Sequence, residues 1–125
     1  MQYSWINTIA DMLPNNTIIN FHNNFNQQIV PNSLPKNLTT LIFGCNFNQR
    51  IKLNTLPESL TNLTFGSKFN QEIVPNSLPK NLTTVIFGKK FNQQIVPDSL
   101  PKNIKVLTFG YKFNQQIVQI TCLKI

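Results

Sequence analysis

Beyond the first dozen residues, apolar and polar positions along this chain return every 22 residues. Phe25, Phe47, Phe69, Phe91 and Phe113 share one phase, and Phe21, Phe43, Phe65, Phe87 and Phe109 another. Asn26, Gln27 and Ile29 open three further columns that recur with the same spacing through Asn114, Gln115 and Ile117. Pro35, Pro57, Pro79 and Pro101 form a proline column, while Gly44, Gly66, Gly88 and Gly110 form a glycine column that has His22 in the first unit. Pro14 lies one residue closer to its phenylalanine, so the first unit is a shortened copy. A fixed period of this length marks coils that cannot bury a face alone and must stack.

A unit of this size is too short for two helices and a turn, and prolines such as Pro31 and Pro35 break any continuous helix. The stretch Leu38 to Gly44 places apolar residues at its first, fourth and sixth positions, Leu38, Leu41 and Phe43, with β-branched and aromatic residues just before the glycine. This predicts one short strand per coil, paired in parallel with its neighbours at about 4.8 Å, so that five coils make a sheet roughly 20 Å across. Side chains alternate along a strand, which puts Leu41 with Phe43, Leu63 with Phe65, Val85 with Phe87 and Leu107 with Phe109 on the core side. Leu38, Leu60, Leu82, Ile104 and the Phe47 column complete the stacked apolar ladders.

The unit Leu-Pro-x-x-Leu-x-x-Leu-x-Phe-Gly-x-x-Phe-Asn-Gln-x-Ile closely resembles the FNIP repeat, a leucine-rich-repeat-like module of social amoebae and of giant viruses that infect amoebae. The resemblance spans residues 13 to 118 and rests on a dozen positions repeated in four consecutive units from Leu34 to Ile117. It implies a mainly β solenoid with the parallel sheet on its concave face and an extended, proline-bearing convex face. It further implies a role in binding other proteins, since many relatives look like an F-box joined to such repeats and would present targets for ubiquitin transfer. Only about a dozen residues precede the first unit here, too few to hold an F-box.

Composition narrows the chemistry. The chain has 125 residues, 12% charged, with two cysteines and one histidine. That excludes a disulfide-dense scaffold and a four-cysteine zinc site, and supplies little for acid–base catalysis. Neither a catalytic constellation nor a metal or cofactor site is expected; the single glycines lack the helix start and Lys-Ser/Thr pair of a phosphate cradle. Each strand must be followed by a sharp bend. Asn48, Asn70, Asn92 and Asn114 suit that bend, tolerating unusual backbone angles and pairing backbone groups within the coil, and the glycines mark strained backbone or close approach.

Facing outward from the sheet are Thr40, Ile42, Asn62, Thr64, Thr84, Ile86, Val106 and Thr108, which vary from coil to coil while their neighbours do not. They are the expected partner-binding face. Charge adds a second candidate, because the net +7 is concentrated beyond residue 62, where eight lysines meet only Glu72 and Asp98. Lys68, Lys90 and Lys112 share one phase just after the strands, flanked by Lys89 and Tyr111. Lys36, Lys80 and Lys102 form another column on the proline-bearing side. The leading expectation is a non-enzymatic module that binds a protein through the sheet face and the lysine rim. The alternative is a basic binder of anionic polymer such as nucleic acid, disfavoured by the scarcity of arginine and of exposed aromatics. Steep salt dependence would mark the alternative; a salt-insensitive contact broken at Ile42 and Ile86 would mark the first.

The flanks should act as caps. Ser4, Trp5, Ile6, Ile9, Ala10 and Leu13 fit a short amphipathic helix over residues 1 to 12, and residues 119 to 125 replace the expected proline segment with a brief cap. Poor cover at the C-terminal end would invite self-association through an exposed edge. A thiol at Cys45 in a variable surface slot, no signal-peptide pattern and no transmembrane stretch lead us to expect an intracellular, cytoplasmic chain without membrane contact.

Overall fold

A computed structural model describes residues 17–117. The caps expected at 1 to 12 and 119 to 125 lie outside the described residues. Five three-residue strands, β1 (Ile18–Asn20), β2 (Thr40–Ile42), β3 (Asn62–Thr64), β4 (Thr84–Ile86) and β5 (Val106–Thr108), form one parallel sheet in chain order. Every pairing joins residues 22 apart, as in Leu41 with Leu63 and Leu63 with Val85. The ladder outlasts the strands, because Phe43, Phe65 and Phe87 donate their N–H groups to Thr64, Ile86 and Thr108 at 2.8–2.9 Å. The chain is thus a leucine-rich-repeat-like solenoid, with no helix among the described residues.

The core is the expected set of ladders. Leu38, Leu41, Phe47, Leu60, Leu63, Phe69, Leu82, Val85, Phe91 and Ile95 have no measurable exposure. Both phenylalanine columns stack: rings in successive coils stand 5.3–6.1 Å apart with planes within 11° of parallel. Within a coil the two columns close to about 4 Å, as at Phe65–Phe69, 4.0 Å. Each buried ring contributes roughly 1.5–3 kcal/mol from removal from water, so the stack is the main stabilising element. At the last described coil Phe109 and Phe113 are only half-buried, and among the described residues they stack on Phe87 and Phe91 of the coil before.

Two corrections concern the bends. The left-handed backbone is not at the Asn48 column but at Asn32, Asn54, Asn76 and Asp98, with φ of 63–69°. Each precedes a buried hydroxyl, and those of Ser33 and Thr55 donate to the carbonyls of Val30 and Lys52 at 2.8 and 2.7 Å. The Asn48 column works between coils instead of within one. Asn26, Asn48, Asn70 and Asn92 each accept, through Oδ1, the backbone N–H of the asparagine one coil on at 2.8–2.9 Å. The same oxygens accept from Nε2 of Gln49, Gln71, Gln93 and Gln115 at 3.0 Å. This asparagine–glutamine ladder satisfies backbone donors that the turn would otherwise orphan.

No glycine has a positive φ, so the glycine column is explained by close approach alone. A Cβ on Gly66 would stand 2.0 Å from the carbonyl oxygen of Gly44, and one on Gly88 2.2 Å from that of Gly66. The obstruction is backbone of the preceding coil, which cannot swing aside.

Candidate interaction surface

The strands alternate, and only the central residue of each is buried. The two flanking residues therefore open on the opposite face. Exact register aligns them in two rows: Thr40, Asn62, Thr84 and Val106 in one, Ile42, Thr64, Ile86 and Thr108 in the other. All eight residues singled out from the sequence thus lie on one sheet face. Ile18 and Asn20 in β1 extend both rows and were missed by the sequence reading, although they stand one period before Thr40 and Ile42. Ile18 and Val106, at opposite edges, are 55% and 48% exposed, so apolar surface reaches solvent at both ends of one row.

The lysine rim follows each strand. Lys68, Lys90 and Lys112 are exposed, and their N–H groups donate to the carbonyls of Cys45, Ser67 and Lys89 in the coil before, at 3.1, 3.1 and 3.3 Å. Backbone pairing thereby fixes the interval between the three stems. In the neighbouring column Cys45 is an exposed free thiol 3.0 Å from Ser67 Oγ. Farther along, Lys89 Nζ stands 6.0 Å above the ring of Tyr111, which is 77% exposed. Thr64 and Lys68 are four residues apart, so rim and sheet face are separated by at most about 14 Å of chain.

Carboxylates stand elsewhere. Among the described residues, the ion pair is Arg50–Glu72 at 3.7 Å, well exposed on both sides and accordingly worth little. Glu58 and Asp98 lie on the proline-bearing side, where they line an open groove of about 400 Å³ with Lys80 and Lys102. No group of three potential metal ligands occurs among the described residues, nor any helix long and apolar enough to cross a membrane. The surface offers apolar, hydroxyl and amide contacts on the sheet and, beside it, ammonium groups that no described carboxylate pairs. Such an arrangement can hold a partner by shape and charge.

Comparison with known proteins agrees with this architecture. The model of the FNIP Repeat family matches residues 7–46, 47–90 and 91–123, three consecutive copies covering most of the chain. The first two copies each span about two of the 22-residue coils and the third about one and a half. A solved structure described as CroV588, a novel circular LRR protein, is 55% identical with a TM-score of 0.81. The match covers 83% of this chain but only 15% of that one. A comparison with curated proteins gives no match.

Proposed function

Because the chain belongs to the FNIP repeat family, we propose that it is a non-enzymatic protein-interaction module, engaging its partner through the sheet face and the lysine rim. The observation that carries this reading is the division of labour within the repeat. Core, asparagine and glycine phases repeat with little change, while the two sheet-face rows change from coil to coil among Thr, Asn, Ile and Val. Positions whose side chains build the core and the ladder are fixed, and the side chains of the sheet face, outside the core, present a varied surface. By the resemblance drawn above, the role is related to the target-binding part of adaptors that join such repeats to an F-box.

Capture from a nuclease-treated extract tests this reading, with the chain immobilised and compared with an Ile42→Asp/Ile86→Asp variant. The expected result is a protein partner whose recovery falls at least about tenfold in the variant, since a charge placed within an apolar contact must be desolvated unpaired. Circular dichroism should be unchanged, because both side chains lie outside the core. A ligand recovered from a parallel untreated extract but not from the nuclease-treated one, equally by both chains, would overturn the reading in favour of the nucleic-acid alternative.

A further inference from the structure

We infer that the lysine rim receives an acidic helix laid along the stack, with its carboxylates four residues apart. The inference rests on the protein-interaction reading and narrows it to one partner chemistry. Lys68, Lys90 and Lys112 each directly precede a phenylalanine of the Phe47 column, and those rings step by 6.0 Å from Phe69 to Phe91 and 6.1 Å from Phe91 to Phe113. The lysine N–H groups are tied to the coil before, so the three stems leave the backbone at the interval of the stack. That interval lies between the strand spacing of about 4.8 Å and the ring step.

A partner must repeat its negative charge at a matching distance. Four residues of α-helix rise about 6.0 Å, and side chains at i and i+4 have Cβ atoms about 5–6 Å apart, so carboxylates at i, i+4 and i+8 keep pace with three coils. An extended segment brings same-face side chains back only every 6.6–6.8 Å or so and runs ahead of the lysines from the first step. Single-stranded nucleic acid is served worse still. The rim holds lysines without arginine, and Tyr111 is the exposed aromatic beside it, whereas such strands are gripped by several stacked rings. No described carboxylate lies within ion-pair distance of the three ammonium groups, so a partner's carboxylates would not have to displace one.

The test is a titration of the full ¹⁵N-labelled chain, followed by NMR, with synthetic alanine-based helices. One peptide carries three glutamates at i, i+4 and i+8, a second has the same composition with the glutamates spread around the helix, and oligothymidylate is a third probe. The striped helix should shift the backbone signals of Lys68, Lys90 and Lys112 and bind about tenfold more tightly than the scattered one, the scale of three exposed ion pairs acting together. The Lys68→Gln/Lys90→Gln/Lys112→Gln chain should lose that preference with unchanged circular dichroism. Equal affinity for the two helices, tighter binding of oligothymidylate, or a preference that survives in the triple variant would overturn the inference. Such a failure alongside a partner lost in Ile42→Asp/Ile86→Asp would leave the interaction reading standing. A positive titration alongside a partner indifferent to that variant would support the rim assignment and count against the sheet face.

Discussion

The ladder asparagines and the turn asparagines of this repeat differ in what a substitution costs. Asn70 Oδ1 accepts from the backbone N–H of Asn92 and from Nε2 of Gln93. Asn70→Ala removes both bonds at an exposed site, and we expect a loss of about 0.5–1.5 kcal/mol in urea unfolding, whereas Asn70→Asp, which keeps an acceptor, should recover most of it. Asn76, at φ 66°, is held by conformation. Asn76→Gly should be close to neutral and Asn76→Ala should cost about 1–2 kcal/mol, the penalty of a Cβ in the left-handed region, in the same measurement. The sequence offers asparagine at both phases, and tolerance of unusual angles is common to all of them. The hydroxyl that follows, at Ser33, Thr55, Ser77 and Ser99, is the local sign that separates the turn asparagines from the ladder asparagines. The glycines show a similar limit: their recurrence marks a special site, but only the approach of Gly44 to Gly66 explains why it is special.

At the scale of the coil, stability comes from rings stacked between neighbours, so position in the stack sets the effect of deleting one. Phe69 lies between Phe47 and Phe91 with no exposure, whereas Phe113 meets Phe91 on one side and is half-buried. Phe69→Ala should cost about 3–5 kcal/mol and Phe113→Ala distinctly less, compared by thermal or chemical unfolding. Gly66→Ala is the opposite test: its methyl group adds no polarity, but a contact of 2.0 Å with backbone would force two coils apart, costing about 1–3 kcal/mol or more. Strand, core side and sheet face were legible before any coordinates, because period and alternation together assign each phase to inside or outside. Leu41 and Phe43 are buried and Thr40 and Ile42 half-open, as that reasoning requires. What it could not supply was the path between strands, since the turns depend on hydrogen bonds between coils that the alphabet does not reveal.

Taken as a whole molecule, the chain is a one-dimensional stack in which each coil meets only its neighbours, and its binding surface is the sum of small contributions repeated at fixed intervals. Such a stack should open from its ends. Amide hydrogen exchange should therefore be slowest at Leu63 in the middle strand and at Phe65 just after it, and faster at Ile19 and Leu107. The same geometry gathers residues far apart in sequence, such as Ile42 and Ile86, into one row, and spaces the rim lysines at the interval of the coils. All of this depends on successive coils lying in register 22 residues apart. The native thiol of Cys45 gives a direct probe, because Ser67 Oγ stands 3.0 Å from its sulfur. In a Ser67→Cys chain that also carries Cys122→Ala, the two thiols should occupy adjacent coils, at a backbone separation that a disulfide can bridge. Mild oxidation of the dilute folded chain should give one intramolecular bridge between positions 45 and 67, identified by mass spectrometry of the digest, while a Lys68→Cys control, one residue out of phase, should form it far more slowly. Failure to form the bridge, or equal rates in the two chains, would contradict the stacking.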